Sequence, residues 1–292
     1  MADKEPQQPE ELPIVLVHRL LSYKIPLDPS FRDQLRSQFH MLDPHESPEP
    51  YDSFLALATS AGLNHIDLPA CWSRGIVVTN ASLAFAEDVA DCAVGLLIDV
   101  LRRISAADRF IIPFGPYENT VLNLEYLLLD GKRVGIVGLE SIGSEVAQWL
   151  LAFGCTITYT SRKKKQSVSF PFYANVRDLA ANIDVLVLCC ALTKETYHMI
   201  KKDVMDGVII NVGRGSLINE MELVQCLVGG KIGGAGLDVY ENEPNVPKEL
   251  FGLGNVVSSP HCTVMTAESF EALVTGNQDV GLFHSCGDSM TP

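Results

Sequence analysis

The sequence predicts an α/β protein whose larger part is a doubly wound parallel sheet, and three observations predict it. Six short runs, "RVGIVG", "TITYTS", "DVLVLCC", "GVIINVG", "GGAGLDV" and "NVVSSP", are apolar almost without interruption and rich in β-branched residues. Continuous rather than alternating hydrophobicity marks strands buried on both faces. Between successive runs lies enough chain for a helix or a crossover, the rhythm of a sheet wrapped by helices. The first run also ends in Gly138, with Gly143 following at the head of a helical segment, "SIGSEVAQWL".

Taken in order, the N-terminus "MADKEPQQPEELP" is acidic and proline-rich, without the basic and apolar regions of a signal peptide, and is expected to be a flexible tail. "PIVLVHRL" holds a short β-type run from Ile14 to Val17, the chain to about Pro50 is mixed, and "GIVVTN" from Gly75 to Asn80 is a second β-type run. This first region is too short for a complete sheet with its helices. Residues 1–84, completed by 263–292, are therefore expected to form a smaller, truncated domain, and residues 85–262 the parallel-sheet domain. From Asp88, "DVADCAVGLLIDVLRRISAADRF" reads as one long helix, with acids in its first turn and Arg102 and Arg103 further along, the charge order the helix dipole favours. It is apolar on nearly all sides from Val94 to Leu101, which implies burial on more than one face and pairing of two chains into a homodimer.

Composition removes several classes. A 292-residue chain with 47% hydrophobic residues can bury a core, and a net charge of −14 disfavours a nucleic-acid partner, which needs clustered Lys and Arg. Eight cysteines without CxxC spacing indicate neither a metal site nor a disulfide framework. No apolar stretch reaches membrane-spanning length, so the cytosol is the expected compartment.

In a dinucleotide-binding turn, G-x-G-x-x-G serves a tight bend, close backbone approach to pyrophosphate, and helix-on-strand packing. Here the loop comprises Gly138, Leu139, Glu140, Ser141, Ile142 and Gly143, with Glu140 where the middle glycine belongs. Unit charges about 4 Å apart at an effective dielectric of about 20 repel by roughly 4 kcal/mol, before solvent reduces it. Glu140 is thus expected to weaken cofactor binding without abolishing it, or to fold back onto the N–H groups of its own helix and occupy the anion site. At the end of the next strand, where an acidic residue would hold the ribose of NAD, stand Ser161, Arg162 and Lys163 in "TSRKKK". A hydroxyl and positive charge there suit the 2′-phosphate, so NADPH is expected over NADH.

"GKRVGIVGLESIGSEVA", "NVGRGSLINE", "GGAGLDVYENEP" and "SPH", in this order, resemble the D-isomer-specific 2-hydroxyacid dehydrogenases. With "SAGLNHIDL", "VTNA" and "EDVADCAVGLLIDVLRRI" the chain is most similar to the plant-type hydroxyphenylpyruvate, hydroxypyruvate and glyoxylate reductases, over most of residues 60–270. The resemblance implies a Rossmann-type domain beside a flavodoxin-like substrate domain. It implies Arg214 as the grip on a 2-oxoacid carboxylate, His261 as the proton donor and Glu243 as the carboxylate that holds the imidazole tautomer; the chemistry of each residue suits that role. It further implies Val212, Gly213 and Asp238 around the nicotinamide, and Ala61 and Gly62 as backbone receivers of the substrate carboxylate. The remaining histidines, among them His198, carry no motif and are read as surface or packing residues, and Cys189 and Cys190 as core.

The departures are Glu140 and the stretch "YDSFLALATS", where the family would place two strands and a helix, so that interior strands are expected to be missing. Two readings follow: NADPH-dependent reduction of small 2-oxoacids such as hydroxypyruvate, glyoxylate or hydroxyphenylpyruvate to D-2-hydroxyacids, or a catalytically impaired member that acts as a binding or regulatory protein. Intact Arg214, Glu243 and His261 place the first ahead.

Overall fold

The computed structural model describes residues 85–114 and 127–264, the short elements named below, and residues 266, 268 and 269. The N-terminal tail, Ala61 and Gly62, and the chain after 269 lie outside the described residues. The chain divides into two compact units, Met1–Ala84 with Ala267–Pro292, and Phe85–Thr266.

The first unit contains β1 (Ile14–His18), α1 (Pro29–Gln38), β2 (His40–Leu42), β3 (Leu55–Ala58), α2 (Leu68–Ser73) and β4 (Val77–Asn80). The strands form a parallel sheet in the order β2-β1-β3-β4. That order, among the described residues, matches the first four strands of the flavodoxin-like arrangement. Of the two strands and the helix that the family would place at this stretch, one strand is described. "YDSFLALATS" supplies β3, which pairs on one side with β1 (Val15 opposite Leu55) and on the other with β4 (Leu55 opposite Val77). β3 is four small or apolar residues, Leu55–Ala58, with a parallel strand paired along each edge.

The second unit holds α3 (Ala86–Arg102), α4 (Ile104–Phe114), β5 (Arg133–Val137), α5 (Ser141–Ala152), β6 (Thr156–Thr160), α6 (Val176–Ala180), β7 (Val185–Leu188), β8 (Val208–Asn211), α7 (Glu220–Val228), β9 (Gly234–Leu237) and β10 (Val256–Ser258). All six apolar runs are strands of one parallel sheet, ordered β10-β9-β8-β7-β5-β6. The chain leaves β5 toward β6, then crosses back over β5 to β7, so the winding direction reverses between β5 and β7. The two windings use opposite faces. On one, α3 and α5 pack together, with α3 also against β8, β9 and β10. On the other, Leu179 of α6 and Leu223, Cys226 and Leu227 of α7 share a core with Leu186, Leu188, Ile209 and Leu237.

The expected single helix from Asp88 is two helices. Arg103 adopts a left-handed conformation (φ 54°) and ends α3. Its guanidinium donates to Gly233 O at 3.1 Å and Gly254 O at 3.3 Å, at the entrances of β9 and β10. Those long-range bonds hold a backbone shape that a non-glycine residue adopts only under such constraint. The burial on several sides read from Val94–Leu101 arises within the unit, between the sheet and α5, with Leu96, Leu97, Val100 and Leu101 all buried.

Leu97 has no solvent exposure and sits in this double-sided contact. Leu97→Ala is expected to cost about 2–5 kcal/mol of stability. Urea unfolding followed by circular dichroism checks it through a lower midpoint at an unchanged slope.

Candidate active site

Strands that all run one way end on one edge, and each sequence-predicted residue described in this unit follows the carboxyl end of a strand or lies in the first turn of the helix that continues it. Gly138 to Gly143 continue β5, Ser161 to Lys165 continue β6, Val212 to Arg214 follow β8, Asp238 to Glu243 follow β9, and His261 follows β10.

At the first turn, Gly138 has φ 92°, and a Cβ there would stand 2.8 Å from the Cys190 backbone; at Gly143 it would stand 2.0 Å from Gly138 O. Neither position admits a side chain, so α5 begins pressed against the end of its strand. Gly138 N–H donates to Thr160 O at 2.9 Å, tying this loop to the end of β6. Leu139 is fully buried, and Ser141 and Ile142 form the first turn of α5.

Glu140 is the N-cap in extended conformation, its carbonyl accepting from Ser144 N at 2.9 Å, but its side chain makes no capping bond. The expected fold-back onto the helix N–H groups is therefore corrected: the carboxylate pairs with Lys165 Nζ at 2.8 Å. A full positive charge within reach outweighs the partial charge of a helix end. Ser161 Oγ donates to Lys163 O at 2.7 Å, shaping the turn after β6. Arg162, Lys163 and Lys164 are exposed and without a side-chain partner among the described residues. Two positions bare of side chains, an α5 N-terminus that Glu140 leaves uncapped, and cations at the end of β6 together fit a nicotinamide dinucleotide.

Arg214 stands in extended conformation between two glycines. A Cβ at Gly215 would overlap the Tyr240 carbonyl carbon at 1.8 Å, so this turn lies flat against the loop that carries Glu243. Asn211, buried at the end of β8, braces the turn from both sides: its Nδ2 donates to Arg214 O at 3.0 Å and its Oδ1 accepts from Gly213 N at 3.2 Å. Burial pushes the Arg214 guanidinium below its ordinary pKa, with the Glu243 charge opposing. Arg214 Nη1 donates to Gly213 O at 2.7 Å.

His261 Nδ1 lies 2.8 Å from Glu243 Oε2 and 3.0 Å from Oε1. The residue itself has φ 53°, a strained conformation for histidine. Asp238 explains how it is held. Its buried carboxylate accepts from Ser259 Oγ at 2.6 Å and from Thr263 Oγ1, on either side of His261. Glu243 also accepts from Tyr240 N–H at 2.9 Å. Burial alone would push the Glu243 carboxyl up, but the His261 and Tyr240 hydrogen bonds and the His261 and Arg214 charges together hold it below the ordinary value. The structure thus brings Arg214, Glu243 and His261 into one electrostatic group.

Val212 is buried, and Gly213 lies against Leu217 and the Cys190 carbonyl. Cys190 therefore separates the Gly138 and Gly213 turns with its backbone, while burial pushes its thiol up to about 11 and raises the neighbouring Cys189 thiol further. His198, read from sequence as a packing residue, belongs to a second imidazole–carboxylate pair: Nε2 lies 2.6 Å from Glu241 Oε1, and its ring stacks on Tyr197 at 4.0 Å. Glu241 and Glu220 exchange bonds through each other's backbone N–H, at 3.3 and 3.1 Å. His198 N donates to Ser216 O at 2.8 Å, so the pair fastens the segment after β7 to the Arg214 turn and the Glu243 loop. No local signal marks His198 or Asn211, because their work is done on chain distant in sequence or on backbone. Ala61 and Gly62 lie outside the described residues.

Comparison with known proteins agrees with this geometry. Residues 94–263 match the family model described as "D-isomer specific 2-hydroxyacid dehydrogenase, NAD binding domain". The chain is 58% identical to a glyoxylate/hydroxypyruvate reductase of Arabidopsis thaliana over 227 residues, covering 74% of this chain and 68% of that one. It is 46% identical to the hydroxyphenylpyruvate reductase of Plectranthus scutellarioides over 230 residues, covering 75% and 72% of the two chains. A crystal structure of an NADPH-dependent glyoxylate/hydroxypyruvate reductase from Sinorhizobium meliloti, in complex with NADP and malonate, superposes with a TM-score of 0.77 at 30% identity, covering 96% of both chains.

Because the Glu243 carboxyl lies below its ordinary value of 4.5 when folded, the folded state binds that proton more weakly than the unfolded chain. Its contribution to stability is present above the unfolded pKa and is lost as pH falls through the folded one. The destabilisation caused by Glu243→Gln is expected to be greatest near neutral pH and to shrink below about pH 4, measured by urea unfolding at a series of pH values.

Proposed function

The chain belongs to the D-isomer specific 2-hydroxyacid dehydrogenases, and from that premise we propose that it reduces small 2-oxoacids, of the class of glyoxylate, hydroxypyruvate and hydroxyphenylpyruvate, to D-2-hydroxyacids with NADPH. The observation that carries this reading is the Arg214–Glu243–His261 group on the carboxyl edge of a nucleotide-binding sheet. The names of the relatives support the substrate class.

Arg214 receives the substrate carboxylate with its forked donors and polarises the C2 carbonyl, the task for which a planar guanidinium is suited. His261 donates Nδ1–H to Glu243, so in the doubly protonated ring the proton on the opposite nitrogen, Nε2, is the one delivered to the carbonyl oxygen, leaving the neutral imidazole. Glu243 keeps Nδ1 engaged and the ring in place while the proton is transferred. When bound, the nicotinamide supplies the hydride that reduces C2. Gly138 to Gly143 hold the dinucleotide phosphates, Ser161, Arg162 and Lys163 the 2′-phosphate, and Val212, Gly213 and Asp238 the nicotinamide end. The exposed cations after β6 support NADPH over NADH. In this reading Phe85–Thr266 is the cofactor domain, and Met1–Ala84 with Ala267–Pro292 is the substrate domain, which contributes Ala61 and Gly62.

The protein acts as a homodimer in the cytosol. Ile104, Leu127, Leu128 and Phe153 are exposed apolar residues of the kind that pairing of two copies would cover, and no described helix is long and apolar enough to cross a membrane.

The test pairs calorimetry with initial rates. NADPH is expected to bind more tightly than NADH, and His261→Asn to lower kcat/KM for glyoxylate or hydroxypyruvate by about 10²–10⁴ at unchanged NADPH affinity. Undiminished turnover in His261→Asn would remove the proton-donor assignment. Arg214→Lys, which keeps the charge and loses the fork, is expected to raise KM for the oxoacid as well as lower kcat.

A further inference from the structure

Glu140 stands where the dinucleotide turn reserves a glycine, and its carboxylate lies 2.8 Å from Lys165 Nζ. The two partners are unequally fixed. Lys165 donates its backbone N–H to the Tyr159 hydroxyl at 2.8 Å, and Tyr159 is a fully buried residue of β6. The Lys165 side chain is 27% exposed, against 70% for Glu140. The ammonium is therefore anchored from the β6 side, and the carboxylate reaches to it. The pair spans the place where Gly138 N–H bonds Thr160 O, between the phosphate loop and the end of β6. The loop's departure from glycine thus brings no net charge with it.

We propose that Lys165 is a charge-compensating, positioning residue: it draws the Glu140 carboxylate toward β6 and neutralises it, so that the dinucleotide phosphates meet an ion pair instead of a lone anion. The inference rests on the cofactor reading above and assigns Lys165 a role separate from that of Arg162 and Lys163, which are exposed, lack partners among the described residues and remain for the 2′-phosphate. The pyrophosphate is common to NADH and NADPH. Removing the compensating charge must therefore weaken both, whereas removing a 2′-phosphate ligand would weaken NADPH alone.

Dissociation constants of NADPH and NADH, measured by calorimetry for the native chain, Lys165→Met, Lys165→Arg, Glu140→Gly and the double variant Glu140→Gly/Lys165→Met, decide the matter. Lys165→Met is expected to weaken both cofactors by a similar factor of about ten, a value kept modest because the pair is partly solvated. Lys165→Arg is expected to stay within about twofold of native, and the double variant to return to the affinity of Glu140→Gly alone. A loss confined to NADPH, a double variant no better than Lys165→Met, or Lys165→Met within about twofold of native would each overturn the proposal. Binding by Glu140→Gly with none by the native chain would also overturn it, since Glu140 would then be uncompensated. No binding of either cofactor by Glu140→Gly would instead remove the cofactor reading on which the proposal stands.

Discussion

In a parallel sheet every carboxyl end lies on the same edge, and the rest of this protein's second unit depends on that constraint. Backbone pairing fixes the order β10-β9-β8-β7-β5-β6, so the turns after β5, β7 and β8 are neighbours whatever their side chains do. The contacts at that edge are closer than side chains allow. Gly138 meets the Cys190 backbone, Gly213 the Cys190 carbonyl, and Gly215 the Tyr240 carbonyl. A cofactor turn and an arginine turn are brought side by side by main-chain approach, and the functional side chains project from turns already fixed in place.

The histidine is held by a different means. His261 adopts a left-handed backbone conformation that costs of the order of 1 kcal/mol or more unless its surroundings enforce it. Two carboxylates from the single loop after β9 do so: Glu243 grips the ring, and Asp238 holds Ser259 and Thr263 on either side. Since that loop also lies against the Arg214 turn, with His198–Glu241 fastening the two, the groups proposed to bind and to protonate a substrate share one scaffold. The low Glu243 carboxyl is a consequence of this convergence, because its partners come from several elements of the sheet edge.

At the turn after β5 a local rule is broken, and a counter-charge stands beside the break. A carboxylate at Glu140 opposes an anionic ligand by itself, but Lys165 pairs with it from across the β5–β6 boundary, while three further cations stay exposed beside it. The strongly acidic chain keeps its one basic run at the place where an anion is expected.

The six strands of the large sheet and the strand-end positions of Gly138, Ser161, Arg214, Glu243 and His261 were legible in the sequence. Both are local properties: an uninterrupted apolar run buries both faces of a strand, and a motif beside it inherits its end. What the tertiary structure decided are pairings between distant residues. Arg103 breaks the expected long helix because its guanidinium finds carbonyls 130 and 151 residues away. Leu55–Ala58 becomes a strand because β1 and β4 stand on either side of it, and Glu140 turns from its own helix to a lysine 25 residues on. His198 finds Glu241 across 43 residues. Periodicity and propensity record what a segment does with its immediate neighbours; which charge or hydrogen-bonding group meets another across the chain is fixed only when the sheet aligns its edge.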